Sequence, residues 1–251
     1  MILASSSHLT SLSFFLPITF FFPVVTLENM KVLEDLPIPY LVYLQASPEP
    51  CVGVLIHPEW VLTAAHCPLP EKIRLGVNQP SFKNKREQLR NYSMTVTHPE
   101  FDEKTLKNDL MLIKLSREAG INSYVGTIAI AMEPSLFNDT CFIPTWMWVD
   151  YKNITEPDIL TWINQHILPS RDCQNMLLTQ EQKTTVNIMC IGQPLTILSK
   201  IEEVSAAPAI CSGRVQGILS WTKGSITLGS EGFFTEIHPY VKWITEIMTT
   251  H

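Results

Sequence analysis

Short apolar or alternating segments, separated by Pro, Gly and Asn-Asp turn signals, recur along most of the 251-residue chain. Runs this short predict strands, because a helix needs a longer stretch with a period of 3.6 residues. A helical pattern occurs only near the C-terminus, between Tyr240 and Met248. We therefore predict an all-β fold, a sandwich or a barrel. The predicted strands lie at residues 40–44, 52–56, 61–65, 73–75, 93–97, 110–115, 128–131, 141–143, 209–210, 215–221 and 232–237.

The composition indicates a folded chain. Hydrophobic residues make up 45% and charged residues 17% of the sequence, which excludes intrinsic disorder. The length suits one large or two small domains. The formal net charge of −6 offers no basic excess for a nucleic-acid partner. A basic run contains Lys83, Lys85, Arg86 and Arg90, but acidic and amide residues interrupt it, and we interpret it as a solvated loop.

Residues 14–25 form an apolar run, FFLPITFFFPVV, that is broken by Pro17 and Pro23. It is too short to span a bilayer, and its length and position are typical of the apolar core of a secretory signal peptide. We predict a signal peptide over residues 1–26 and secretion of the remaining chain to the extracellular space. The alternative is a buried N-terminal strand. No other segment approaches the roughly 18 continuous apolar residues of a membrane span, so none is expected in the mature chain.

Six cysteines, an even number, suit a disulfide framework in an oxidising compartment. Fifteen pairings are possible, and the count alone does not choose among them. Three Asn-x-Ser/Thr tripeptides make Asn91, Asn138 and Asn153 candidate N-glycosylation sites. The sequence contains no Cys-x-x-Cys or His-x-x-x-His spacing, so we predict no zinc or redox centre.

Three segments resemble the catalytic segments of the trypsin/chymotrypsin family of serine proteases. They read WVLTAAHC at residues 60–67, NDLMLIKL at 108–115 and VSAAPAIC at 204–211, and GILSW follows at 217–221. Their order along the chain is that of the family, and the resemblance extends over residues 39–247. Residues 39–44 and 203–211 are most similar to the divergent trypsin-X branch, the serine protease 58-like proteins. The resemblance implies a monomer with two six-stranded antiparallel β-barrels (chymotrypsin-like), at about residues 27–125 and 126–238, and a C-terminal α-helix at about 239–248.

The resemblance also assigns roles to three residues. Ser205 would be the nucleophile, His66 the general base and Asp109 the carboxylate that orients the imidazole. Taken singly, His66 could be a satisfied buried histidine, Asp109 a cap at a strand entry and Ser205 an ordinary turn serine. Three matching segments in the family order favour the catalytic interpretation.

The disulfides of the family map onto the cysteines as Cys51–Cys67, Cys141–Cys211 and Cys173–Cys190. The bridge that flanks the specificity pocket in the family is absent at both ends, where Ile201 and Ser225 occupy the corresponding positions. The basic run at residues 83–90 replaces the calcium-binding loop of the family. No calcium, other metal or cofactor is therefore expected.

The nucleophile segment departs from the family pattern Gly-Asp-Ser-Gly-Gly-Pro, since residues 203–208 read EVSAAP. In the family the aspartate pairs with the amino terminus created by zymogen cleavage, and Val204 cannot form that pair. No Ile-Val-Gly-Gly-like start occurs near residues 27–30 either. The expected oxyanion-hole donors are the backbone N–H groups of Glu203 and Ser205. A carboxylate there would repel a developing oxyanion, and a side chain would resist glycine-like dihedrals. We therefore expect weak or conditional catalysis, unless Glu203 points to solvent and other packing orders the loop.

The resemblance also points to substrate-binding residues. Ser199 would lie at the base of the primary specificity pocket, where trypsins have an aspartate that binds Lys or Arg. Thr222 would narrow the entrance, and Gly232 would leave the opposite wall open. The pocket is expected to favour a small or medium neutral side chain. The full set of candidates is Ser199, Ser220, Trp221, Thr222 and Gly232.

Two functions fit these observations. The first is a secreted serine endopeptidase that hydrolyses peptides or proteins through Ser205 without a cofactor. The second is a non-catalytic protease homologue that binds peptides or proteins through the same cleft. The presence of His66, Asp109 and Ser205 together favours the enzyme. The altered nucleophile segment favours the homologue. No nucleic-acid partner is expected for either function.

Overall fold

The computed structural model describes residues 31–32, 37–148, 156–157, 159–192, 202–222 and 232–251. The predicted signal peptide, Asn153, Ser199, Ile201 and Ser225 lie outside these ranges. The strands are β1 (Lys31–Val32), β2 (Leu41–Gln45), β3 (Cys51–His57), β4 (Trp60–Thr63), β5 (Lys72–Leu75), β6 (Gln88–Arg90), β7 (Tyr92–Thr97), β8 (Met111–Leu115), β9 (Thr140–Trp148), β10 (Ile159–His166), β11 (Ile188–Ile191), β12 (Glu202–Glu203), β13 (Pro208–Cys211), β14 (Arg214–Thr222) and β15 (Gly232–Glu236). The helices are α1 (Ser170–Leu177), a 3₁₀ turn (His238–Tyr240) and α2 (Val241–Thr250).

The first sheet is antiparallel and has the strand order β6-β5-β2-β3-β4-β8-β7. Only Asn91 separates β6 from β7, so the two form one bent strand that closes the sheet into a barrel. At Gly53 an added Cβ would lie 2.5 Å from Cγ1 of Val61, so only glycine fits at this point. The core of this barrel consists of fully buried aliphatic side chains, among them Val54, Leu62, Ile73, Leu75 and Leu112.

The second sheet has the order β1-β10-β9-β13-β14-β15-β11, with β12 paired to β9. An antiparallel bridge between Ile167 and Ile191 brings the end of β10 back to β11. Six main strands therefore enclose a second core, and β1 and β12 are two-residue additions to it. This arrangement confirms the predicted all-β, chymotrypsin-like fold. The core contains Ile143, Met189, Ala209 and Phe234.

The two sheets pack against each other across a continuous apolar cluster. Leu55 and Leu110 of the first half, Ala206 and Ile218 of the second half, and Ile244 of α2 all belong to it. The C-terminal helix is thus part of the joint between the barrels. Because the segments before β8 and before β13 both reach this joint, side chains from distant parts of the chain meet there.

Three disulfides brace these elements, and they join the same pairs that the resemblance implied. They are Cys51–Cys67, Cys141–Cys211 and Cys173–Cys190. The first ties β3 to the loop after β4, the second joins β9 to β13, and the third holds α1 against β11. No helix in the described ranges is both long and apolar enough to cross a membrane.

Several local predictions were wrong. The pattern predicted a helix only near the C-terminus, yet α1 forms; it is only eight residues long and buries just Cys173 and Leu177, too short a stripe to be recognised. Residues 128–131 make a single bridge, Ile130 to Val215, instead of a strand. Arg90 does not belong to a solvated loop, because it is buried in β6 and its guanidinium donates to the carbonyl of Glu118. Strands β1, β6, β10, β11 and β12 also lie outside the predicted segments.

Candidate active site

His66 lies just after β4, between Asp109 and Ser205. Its Nδ1 is 2.7 Å from Oδ2 of Asp109, and its Nε2 is 2.9 Å from Oγ of Ser205. The amide of His66 also donates to Oδ1 of Asp109 at 2.8 Å. The structure therefore brings together three side chains that come from the end of β4, the start of β8 and the segment before β13.

Asp109 is completely buried, and hydrogen bonds from three donors satisfy its carboxylate. The third donor is the hydroxyl of Ser220, a buried residue of β14. Ser220 was a candidate for substrate binding, and its side chain is directed at Asp109. Because an ionised carboxylate only accepts hydrogen bonds, Nδ1 of His66 carries the proton. The lone pair of Nε2 then faces the hydroxyl of Ser205, as a general base requires.

The sequence analysis did not identify a second set of hydrogen bonds that holds Asp109 in place, those made by the preceding residue, Asn108. Asn108 has a φ of 55°, a left-handed conformation that asparagine tolerates better than most residues. Its Oδ1 accepts a hydrogen bond from the hydroxyl of Tyr240 at 2.8 Å, and its Nδ2 donates to the carbonyl of Glu100 at 2.9 Å. The sequence signal was the Asn-Asp pair itself; Tyr240 had been interpreted only as part of an apolar helical stripe.

The Ser205 segment is fixed by main-chain hydrogen bonds to both barrels. The carbonyl of Ser205 accepts from the amide of Val52 at 2.8 Å, and the amide of Val204 donates to the carbonyl of Trp146 at 2.9 Å. Ala206 has a φ of 65°, at a position where the family pattern has glycine. The segment thus keeps a backbone conformation that favours glycine, although a fully buried alanine occupies the position.

Glu203 lies opposite Met147 in the pairing of β12 with β9. Hydrogen-bonded and non-hydrogen-bonded pairs alternate along an antiparallel ladder. Since the amide of Val204 bonds to the carbonyl of Trp146, the Glu203–Met147 pair is of the non-hydrogen-bonded type, and the N–H of Glu203 points away from β9. The half-buried carboxyl of Glu203 has no hydrogen-bond or ion-pair partner in the described part of the chain. Burial raises the pKa of Glu203 to about 7.

Three of the other candidates lie where β14 and β15 run side by side. Thr222 is opposite Gly232, and Trp221 is opposite Phe233, whose ring stacks on the indole at a centroid distance of 4.9 Å. At Gly232 an added Cβ would lie 2.6 Å from Cε2 of Phe234. Glycine at this position therefore accommodates the Phe234 ring.

Two of the three candidate glycosylation sites are exposed: Asn91 lies between β6 and β7, and Asn138 lies in the turn that precedes β9. The described residues contain one group of metal-ligand side chains, Cys51, His66 and Cys67. Both of its sulfurs are joined in a disulfide, so this group does not form a metal site.

Comparison with known proteins agrees with this architecture. The trypsin family matches residues 32–244. Serine protease 58 of Homo sapiens is 38% identical over 212 residues, which cover 84% of this chain and 87% of that protein. Probable inactive serine protease 58 of Bos taurus is 36% identical over 214 residues, with 84% and 88% covered. Serine protease 1 of Homo sapiens is 33% identical over 212 residues, with 84% and 85% covered. With its two antiparallel barrels and its His66–Asp109–Ser205 geometry, the chain belongs to the trypsin family of serine proteases.

Proposed function

We propose that this protein is a serine endopeptidase that uses Ser205 as nucleophile, His66 as general base and Asp109 as the orienting carboxylate. One observation supports this most strongly. The buried carboxylate, the imidazole and the hydroxyl form a continuous hydrogen-bonded line, with distances of 2.7 and 2.9 Å between the reacting atoms. That line meets the geometric requirement for activating a serine hydroxyl.

The first half of the reaction forms an acyl-enzyme. Oγ of Ser205 attacks the scissile carbonyl carbon while its proton passes to Nε2 of His66. The carbonyl oxygen becomes an oxyanion, for which the N–H groups of Glu203 and Ser205 are the proposed donors. The tetrahedral intermediate then breaks its C–N bond, and the imidazolium returns the proton to the leaving amine.

The second half of the reaction regenerates the enzyme. His66 takes a proton from a water molecule, whose oxygen attacks the acyl carbon. When the ester bond to Ser205 breaks, the proton returns to Oγ and the carboxylic acid product leaves. No cofactor enters either half of the reaction. Throughout, Asp109 stabilises the imidazolium without being protonated itself.

The proposed enzyme is secreted and monomeric, and it prefers a small or medium neutral side chain at the primary specificity pocket. The family resemblance assigns Ser199 to the pocket base and Trp221, Thr222 and Gly232 to the pocket walls, and none of these residues has a carboxylate to bind Lys or Arg. A peptide-library cleavage profile tests this preference. Dominant cleavage after Lys or Arg would contradict the placement of Ser199.

Labelling with a fluorophosphonate tests the proposed activity directly, since the reagent phosphonylates only an activated serine. The secreted chain and its Ser205→Ala variant are compared, with His66→Ala as a second control. We expect label on the native chain and none on either variant. The absence of Ser205-dependent labelling in every form of the protein would contradict the proposed activity.

A second function is a non-catalytic homologue that binds peptides in the cleft. Two observations favour it: Glu203 brings a carboxylate next to a proposed oxyanion donor, and the similar protein of Bos taurus is named probable inactive serine protease 58. This alternative predicts that native chain and Ser205→Ala variant retain the same library peptides, uncut and with equal affinity. Cleavage of the retained peptides by the native chain would exclude it.

A further inference from the structure

We propose that Val204 is a positioning residue whose burial between the barrels holds Ser205 within reach of His66. The nucleophile segment is then ordered by apolar packing, without a charged amino terminus and before any activating cleavage of the secreted chain. This inference rests on the proposed function, because it concerns the geometry of the same nucleophile. It assigns a role to the residue that departs most from the family pattern.

The first support is the surroundings of Val204. The side chain is 1% exposed and lies in an apolar cluster to which both barrels contribute. Tyr43 and Val52 come from β2 and β3, and Trp146 and Leu160 come from β9 and β10. Moving Val204 would therefore open a cavity at the contact between the two sheets.

The second support is the main chain of Val204, which is bonded on both sides. Its amide donates to the carbonyl of Trp146 at 2.9 Å, and its carbonyl accepts from Oγ1 of Thr145 at 3.0 Å. Trp146 is itself fixed, because its Nε1 donates to the carbonyl of Asn78 at 2.9 Å and its ring meets the Tyr43 ring edge to face at 5.4 Å. Val204 thus has little freedom to shift.

The third support is the connection to the reacting atoms. Ser205 directly follows Val204, and its carbonyl accepts from the amide of Val52. The neighbour of Val52 is Cys51, whose disulfide partner Cys67 directly follows His66 in the sequence. Strand β3 therefore braces the segments that carry both the nucleophile and the base. A displacement of about 1 Å between such groups can slow a reaction about 10²-fold.

The apolar cluster also explains why a charge pair is unnecessary here. An aspartate at position 204 would place a carboxylate among aliphatic and aromatic side chains, where an unpaired charge is strongly disfavoured. Valine fills the same space at no electrostatic cost. Order in this segment then depends on folding alone.

The first experiment compares fluorophosphonate labelling of Ser205 in two forms of the secreted chain. One form keeps an N-terminal tag that blocks any natural amino terminus, and the other has the tag removed by a protease. We expect equal labelling rates. Labelling that requires tag removal, and that acetylation of the new amino terminus abolishes, would overturn the inference while leaving the proposed function intact.

A variant series tests the residue itself. Val204→Ala and Val204→Asp are expected to slow labelling by about 10²-fold through misplacement of Oγ. Val204→Ile, which keeps the branched apolar shape, is expected to retain most of the rate. Val125→Ala is the matched control, since it trims a fully buried valine outside this cluster and is expected to lower stability without changing the labelling rate. Wild-type rates for Val204→Asp would overturn the inference.

Hydrogen–deuterium exchange gives a readout that does not depend on a reactive serine. In the tagged protein, the peptide that contains Val204 should be strongly protected, and Val204→Ala should lose that protection while the Val125→Ala control keeps it. Rapid exchange of this peptide in the tagged protein would overturn the inference. If the Val204 peptide is protected from exchange but Ser205 is not labelled, the inference is supported and the proposed activity is contradicted. Failure of the inference can therefore be told apart from failure of the proposed function.

Discussion

The hydroxyl of Ser220 donates a hydrogen bond to Oδ2 of Asp109, the same oxygen that lies 2.7 Å from Nδ1 of His66. Ser220 belongs to β14 in the second barrel, whereas Asp109 precedes β8 in the first. The contact therefore ties the orienting carboxylate to the opposite half of the molecule. Both barrels take part in holding the imidazole.

Replacing Ser220 with alanine should slow the labelling of Ser205 by about 10- to 100-fold, because a hydrogen bond to a charged group contributes about 1.5–3 kcal/mol. The labelling rate at constant pH measures the effect. Thr235→Val is a suitable control, since the Thr235 hydroxyl is buried in the neighbouring β15 and has no hydrogen-bond partner in the described ranges. Equal losses in both variants would mean that the Ser220–Asp109 contact has no specific effect.

Ala206→Gly should be nearly neutral, although a buried methyl group worth about 0.8 kcal/mol is lost. At a φ of 65° alanine bears a strain of about 1–2 kcal/mol that glycine does not. That relief offsets the extra freedom of glycine in the unfolded chain, worth about 0.4–1 kcal/mol. The matched variant is Ala209→Gly, in the regular strand β13, which should be clearly destabilising. Urea denaturation that shows equal losses at both positions would contradict the strained backbone at Ala206.

Glu203 should make the reaction dependent on pH. With a pKa of about 7, its carboxyl is neutral in mild acid and becomes a carboxylate above neutrality, where it repels a developing oxyanion. The ratio of the Glu203→Gln rate to the native rate should therefore rise by about tenfold between pH 6 and pH 8. A ratio that stays flat would indicate that the carboxylate lies too far from the reacting oxygen to matter.

The Glu203 carboxyl should also make the free energy of unfolding depend on pH. Because burial raises its pKa from 4.5 to about 7, the folded state holds the proton more tightly than the unfolded chain does. The Glu203 contribution to stability is thus full below about pH 4.5 and is lost as the pH rises through about 7. Thermal unfolding of the native protein and of the Glu203→Gln variant is measured at several pH values between about 4.5 and 7. As the pH rises, the native protein should lose more stability than the variant. Parallel curves would mean that Glu203 is not desolvated.

Gly232→Ala should destabilise the second barrel by about 1–3 kcal/mol, the usual effect of overpacking. The new Cβ would lie 2.6 Å from the Phe234 ring and 3.2 Å from Cδ1 of Leu219, and both side chains would have to move. Gly126→Ala provides the contrast, since its Cβ would meet only Cβ of Pro39, at 3.4 Å. Denaturant unfolding of both variants measures the difference. Equal stability would show that the Phe234 ring relocates freely.

The strand-rich pattern and the segments around His66, Asp109 and Ser205 were enough to predict the fold class. The cysteine pairs that the resemblance implied are the disulfides found. These features are readable because each depends on short stretches of chain with a characteristic pattern. Prediction failed where the local pattern is weak. Helix α1 is too short to show a clear apolar stripe. The sequence around Arg90 predicted a loop, because the contact of its guanidinium with the carbonyl of Glu118 is not visible in a local pattern.

The sequence by itself determined which residue types were available: a serine, a histidine and an aspartate in family order, and a valine where the family has an aspartate. Only the tertiary structure decided what surrounds them. The apolar cluster around Val204 and the contacts from Ser220 and Tyr240 join residues that are far apart in the chain. Such contacts arise when two closed sheets pack face to face, and no local pattern encodes which side chains will meet across that joint.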